Sequence, residues 1–149
     1  MPYIAIKIHC VWSTKYRNPD LSDDNLRHRL FAHIRKNARN KGIWIDQIGG
    51  MPDHVHCLIS LTARQSIEEI MQLIKGESSY WYNQQVGSPL QWQNDYFAAS
   101  VSAQRVDTVR RYIQNQEQHH AHQSFDEELQ EFIQLHEQQD APPPPSSPG

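Results

Sequence analysis

The sequence predicts an α+β fold of the ferredoxin-like (RRM-like), split βαβ kind. Such a fold has an antiparallel sheet with two helices packed on one face and a further helix after the last strand. Three observations carry this reading. Segments with strand-like alternation interleave with two segments of helical period in the order β-α-β-β-α-β. A Gly- and Pro-containing turn separates the second and third strand candidates, as antiparallel neighbours require. The third strand candidate is uniformly apolar on one side only, which leaves its other side for something besides core.

Residues 4–12 open the chain as a strand, with Ile4, Ile6, Ile8 and Cys10 alternating with Ala5, Lys7, His9 and Val11. Asn18-Pro19-Asp20 marks a turn. From Asp23 to Lys41 the period becomes helical: Leu26, Leu30, Ile34 and Ala38 recur every fourth residue with Phe31 beside them, and Gly42 ends the helix. Residues 43–48 form a second strand, Gly49 to Asp53 turn the chain, and residues 54–61 form a third. Ser66 and Glu69 make a capping box. It opens a helix with Ile67, Ile70, Met71 and Ile74 on one face, running to Lys75-Gly76 or on to Tyr82. Residues 96–102 are a fourth strand candidate. Residues 105–119 are again helical, with Val106, Val109 and Ile113 on one stripe. The expected organisation is one domain over residues 1–123, a polar helix over 124–140 and a disordered Pro-rich tail over 141–149.

The net charge of −3 is unevenly placed. All 14 Lys and Arg lie between Lys7 and Arg111, whereas residues 121–149 carry six acids and no base. A mildly basic body permits a nucleic-acid partner without requiring one. No stretch approaches the roughly 20 apolar residues that span a bilayer, and Met1-Pro2-Tyr3-Ile4 lacks a basic segment followed by an apolar one, so an untargeted chain is expected. A cytoplasmic protein with no membrane partner is expected. Cys10 and Cys57 lie apart in apolar runs and read as buried, reduced thiols.

Two constellations carry chemistry. His54 and His56 stand two apart on a strand, so both imidazoles share one face while Val55, Cys57, Ile59 and Leu61 face the core. Adjacent imidazoles on a rigid strand make a ready two-ligand metal site, for which a third ligand must come from elsewhere. His9 faces the same side by parity. Tyr112 and Gln116, four apart on the last helix of the body, share a helical face and can deliver a phenol and an amide oxygen to one point.

Five segments, in order, resemble the IS200/IS605-type single-strand DNA transposases, also called HUH or Y1 transposases. They are Val11–Arg17, Met51–His56, Leu73–Ser79, Trp92–Phe97 with Ser100-Val101, and Tyr112–Gln116, which together span about residues 3–118. The resemblance implies that His54, His56 and Gln116 bind Mg²⁺ or Mn²⁺. It implies that Tyr112 is the catalytic nucleophile, cutting single-stranded DNA through a 5′-phosphotyrosine link and rejoining it. It further implies recognition of hairpins at element ends by a homodimer whose active sites are composed in trans. Lys15, Arg17, Lys75 and Arg111 are then the expected DNA-binding residues, and Trp12, Tyr80, Trp81, Tyr82 and Trp92 could stack unpaired bases. Two other readings compete. One is a domesticated hairpin-binding protein that no longer cuts. The other is an unrelated metal hydrolase using His54, His56 and Asp53, which would leave Tyr112 without a role.

Overall fold

The structure, a computed structural model, describes residues 2–87, 89–119 and 124–140. The Pro-rich segment expected to be a tail, residues 141–149, lies outside them. Four strands form one antiparallel sheet: β1 (Ile6–Ser13), β2 (Trp44–Met51), β3 (His54–Leu61) and β4 (Phe97–Val101), in the order β2-β3-β1-β4. This is the split βαβ arrangement, with the two central strands, β1 and β3, buried along most of their length.

Helices α1 (Asp24–Asn40) and α2 (Ile67–Val86) cover one face. Each begins where its sequence supplies a cap: the Asp23 carboxylate accepts from the Leu26 amide, and the Ser66 hydroxyl from the Glu69 amide. Helix α2 outruns its apolar stripe, because nothing in the polar stretch after Tyr82 stops it until Gly87. That residue takes a left-handed conformation (φ 73°) that side chains disfavour. Between sheet and helices lies the main core, made of Ile8, Cys10, Trp12, Val55, Cys57 and Ile59 from the strands. Leu30, Phe31, Ile34, Ile70, Met71 and Ile74 meet them from the helices.

Three further features depart from the sequence reading. Residues 49–51 belong to β2 instead of a turn, and the hairpin closes on Pro52-Asp53 alone. Gly50 allows this: a Cβ there would come within 2.2 Å of the His54 carbonyl oxygen. The second sheet face, expected to be open, is covered. Helix α3 (Val106–Gln114) packs on β2 and β3, and a small second core forms from Leu58, Val101, Val109 and Ile113. The expected single helix over 105–119 breaks at Asn115 (φ −101°, ψ 15°), and the four-residue α4 (Gln116–His119) follows. Asparagine favours such breaks because its side chain competes for backbone hydrogen bonds. The last helix, α5 (Phe125–Asp140), is polar in composition but buries Glu128 and Phe132.

Candidate metal and tyrosine site

The register of β1 against β3 pairs Val11 with His56 and His9 with Leu58, so His9, His54 and His56 share the face away from α1 and α2. His9, His54 and His56 are all nearly fully buried there, by 98 % or more. Each metal-candidate imidazole is oriented through its Nδ1. In His54 that atom meets Asp53 Oδ1 at 2.7 Å, and in His56 it meets His9 Nε2 at 2.9 Å. Both Nε2 atoms therefore point to one place, the arrangement in which a neighbouring acceptor fixes the ring and leaves the other nitrogen for a metal.

Helix α3 brings Tyr112 to the same place. Gly49 on β2 makes this possible, because a Cβ there would lie 2.5 Å from the Ile113 carbonyl oxygen. Only a glycine lets the helix backbone settle this close to the strand. Arg110 fastens the helix alongside, donating to both Asp46 oxygens at 2.8 and 2.7 Å. The Tyr112 ring lies 5.5 Å from the His56 ring, centroid to centroid, within one and the same chain. Gln116 follows on α4. Its side chain is 1 % exposed, its Nε2 faces the Tyr112 carbonyl oxygen at 3.4 Å, and its buried Oε1 has no hydrogen-bond partner among the described residues.

Sequence reasoning missed Glu128. Its carboxylate sits between the two imidazoles, 3.0 Å from His54 Nε2 and 2.7 Å from His56 Nε2, and it accepts a hydrogen bond from the Tyr112 hydroxyl. The ligand atoms of His54, His56 and Glu128 all lie within 4.8 Å of one another. The sequence holds only a weak signal: Glu128 is four from Phe132 and shares a helical face with it, but Glu131 and Glu137 stand equally four from Leu135 and Ile133. Phe132 seats that face on the body, 4.2 Å from the His9 ring and 4.8 Å from Phe97.

The electrostatics follow from this packing. Burial disfavours the charged form of His54, but hydrogen bonds to Asp53 and Glu128 outweigh it and raise its pKa to about 9. Burial likewise disfavours the Glu128 carboxylate, and the two histidines overturn that, holding it well below the usual carboxylate range. Burial and the Glu128 carboxylate push the Tyr112 phenol well above its ordinary range, with Gln116 acting weakly the other way. As arranged, the phenol keeps its proton and donates it to the Glu128 carboxylate in a hydrogen bond.

The donors fit a hard divalent ion. Two imidazole nitrogens converge on a carboxylate, and one helical turn after Tyr112 the buried Gln116 amide oxygen has no hydrogen-bond partner among the described residues.

The remaining expected site residues lie elsewhere. Lys15 and Arg17 sit on a 3-10 turn (Lys15–Arg17) in which Tyr16 and Arg17 both have left-handed φ, 58° and 54°. Arg17 pairs with Asp126 of α5. Lys75 donates to the Gln93 and Asn94 carbonyls at 2.6 and 3.1 Å and shares with Lys15, Tyr16 and Trp92 the lining of a cavity of about 520 Å³. Arg111 is exposed on α3. Of the aromatics expected to stack bases, Trp12, Tyr82 and Trp92 are core residues, and Trp81 stacks on His33 at 4.4 Å. Tyr80 is exposed.

The family described as "Transposase IS200 like" matches residues 3–116. The ISDra2 transposase TnpA of Deinococcus radiodurans is 26 % identical over 118 residues, covering 74 % of this chain and 84 % of that protein. A transposase for insertion sequence element IS200 from Salmonella typhimurium is 25 % identical over 130 residues, covering 87 % and 84 %. A crystal structure of a putative transposase from Deinococcus radiodurans superposes with a TM-score of 0.63 at 26 % identity, covering 78 % of this chain and 95 % of that one. A REP-associated tyrosine transposase, solved bound to a REP hairpin, shares the fold with a TM-score of 0.57 at 18 % identity, over 77 % and 68 % of the two chains. With a match that runs from the first strand through the histidine pair to Tyr112 and Gln116, the chain belongs to the IS200-like transposase family.

Proposed function

We propose that this transposase binds DNA hairpins at element ends and cuts and rejoins single strands through a 5′-phosphotyrosine intermediate. The observation that carries the reading is convergence. The Tyr112 hydroxyl and the Nε2 atoms of His54 and His56 all reach one position, the position now held by the Glu128 carboxylate. An anionic oxygen there meets the nucleophile and the metal ligands at once, which is what a scissile phosphate needs.

His54, His56 and Gln116 would hold Mg²⁺ or Mn²⁺, which when bound offsets the charge on the phosphate oxygens. Asp53 and His9 keep the two imidazoles turned toward the site. The Tyr112 oxygen bonds to phosphorus as the bond to the 3′ oxygen breaks, leaving a free 3′-hydroxyl. Attack by a 3′-hydroxyl on the phosphotyrosine reverses the step and rejoins strands without ATP, because the ester bond is conserved. Lys15, Arg17, Lys75 and Arg111 hold backbone phosphates in this scheme. The hairpin partner is suggested by the relative solved with a REP hairpin. The domain reading belongs here too: residues 1–123 as the catalytic unit and 124–140 as an added helix.

The test is a single-stranded oligonucleotide carrying an end hairpin, incubated with the protein and Mn²⁺ and run on a denaturing gel. A protein–DNA adduct is expected, and Tyr112→Phe abolishes it. An adduct that survives Tyr112→Phe overturns the assignment. Hairpin binding with no adduct supports the binding-only reading, and released products with no adduct support a hydrolase. Homodimeric assembly with trans sites is tested by mixing Tyr112→Phe and His56→Ala chains. Recovered adduct means that tyrosine and histidines came from different protomers. None means that they act in cis, as the single chain arranges them.

A further inference from the structure

Helix α5 lies beyond residues 3–116, the stretch matched to the family description. It nevertheless reaches the centre of the site. Three of its side chains make the described contacts: Asp126 on Arg17, Glu128 on His54, His56 and Tyr112, and Phe132 on His9 and Phe97. The placement of Glu128 is specific. Its two oxygens divide between the two imidazoles, and the oxygen that faces His56 also takes the Tyr112 hydrogen bond. A phosphate held by Tyr112 and by an ion on His54 and His56 would bring anionic oxygens into the same space, so it and the carboxylate cannot occupy the place together.

The second anchor is of another sort. The Arg17–Asp126 pair is largely solvent-exposed, with side chains 47 % and 66 % accessible. Exposed ion pairs are weak and open to competition from another anion. Arg17 also stands on a turn whose two successive left-handed residues push it out from the body, beside β1 and the Asp53 corner of the site.

We propose that α5 is a DNA-released latch. Glu128 occupies the place of the scissile phosphate against His54, His56 and Tyr112. Asp126 on Arg17 holds the helix down until a DNA phosphate takes Arg17. The inference rests on the reading of this site as one that receives DNA and concerns its regulation. Its logic is exchange. DNA bound at Arg17 removes one anchor of α5, and the loosened helix withdraws Glu128, so the nucleophile is uncovered only when substrate is already held. The DNA supplies both replacements, one phosphate for Asp126 and one for Glu128.

Hydrogen exchange of the α5 amides over residues 125–134 in the full chain, without metal, reads the latch directly. Asp126→Ala and Glu128→Ala should each speed α5 exchange at least about tenfold without DNA, as loss of an anchor from a locally opening helix predicts. A hairpin oligonucleotide that the wild-type protein retards on a native gel should do the same to wild type. Calorimetry with Mn²⁺ alone should find that Glu128→Ala binds the ion at least as tightly as wild type. With Mn²⁺ and DNA, adduct should form several-fold faster in both variants. The latch is overturned if Glu128→Ala loses Mn²⁺ affinity, since Glu128 is then a ligand. It is equally overturned if α5 exchange stays the same or slows in Asp126→Ala or on DNA binding. Exchange and calorimetry require no cleavage. Absence of adduct in every variant would therefore count against the tyrosine chemistry while leaving the latch decided on its own readouts.

Discussion

The two faces of the central strands are built from alternate residues of the same two segments and share almost no chemistry. Toward α1 and α2, β1 and β3 present Ile8, Cys10, Trp12, Val55, Cys57 and Ile59. Toward α3 and α5 they present His9, His54, His56 and Leu58, with Lys7 and Ser60 at the far end joined by a 2.7 Å hydrogen bond. The first face is dry and inert: burial lifts the Cys10 thiol to about 12 and Cys57 well above its ordinary range, so neither is reactive. The second face is just as buried but polar, and every imidazole on it meets a specific partner. A two-residue period thus lets one strand pair supply stability on one side and a site on the other. The rigidity of the first face holds the imidazoles of the second in place.

Damage to the two faces should then separate cleanly. On the core face, Trp12→Ala removes a large side chain that is 1 % exposed, and should cost about 3–5 kcal/mol of stability by denaturant melting. A loss below about 1 kcal/mol would mean that the core does not depend on this face as described. On the site face, His56→Ala should lower DNA adduct formation about 100-fold or more, since even supporting partners of metal ligands are worth up to that much. Its melting temperature should fall far less than that of Trp12→Ala. If the two variants were equally destabilised, the division of labour between the faces would be wrong.

The difference between the faces also governs how much could be read from the sequence. The core face was legible because burial acts on residue type at a fixed period: β3 runs from His54 to Leu61 as expected, and α1 starts at its Asp23 cap. The histidine pair was legible by the same parity. The cover over the site was not. Gly49 and Gly50 look like turn residues, yet they serve as places where a helix and a carbonyl approach too closely for a Cβ. Glu128 looks like one more acid in a solvated tail, because its burial comes from distant partners on β3 and α3 and not from its neighbours in the chain. Long-range polar contacts leave little periodic trace.

Gly49 sets how closely α3 approaches the sheet on the site face. Gly49→Ala places a methyl group against backbone that cannot yield as a flexible side chain would, so α3 must shift. A stability loss of about 1–3 kcal/mol is expected, as for other overpacked sites. Adduct formation should fall further than stability alone explains, because Tyr112 moves with the helix. An unchanged adduct rate in a destabilised Gly49→Ala protein would show that the packing of α3 does not set the nucleophile. His9→Leu, a milder change, keeps bulk against Phe132 but removes the ring nitrogen that orients His56 through its Nδ1. Mn²⁺ affinity by calorimetry should drop about 10–100-fold while the fold persists. Undiminished affinity would make His9 a packing residue only.

The smallest effect belongs to the clamp at the rim of the site face. Hydrogen bonding to Arg110 lowers the Asp46 pKa against the opposing effect of partial burial, and Lys7, at 3.2 Å, adds to the lowering. A carboxylate whose folded pKa is depressed contributes stability above its unfolded value, about 3.9 for Asp, and loses that contribution as pH falls through the folded value. Asp46→Asn should therefore lower the melting temperature near neutral pH by less than any change above. The gap from wild type should begin to close as pH drops below about 4, where the unfolded chain takes up the proton, and should be gone once pH has fallen through the depressed folded value. A gap that stayed constant across this range would mean that Asp46 acts by shape and hydrogen bonding alone. The charge pairing with Arg110 would then have no part in holding α3, and with it Tyr112, against β2.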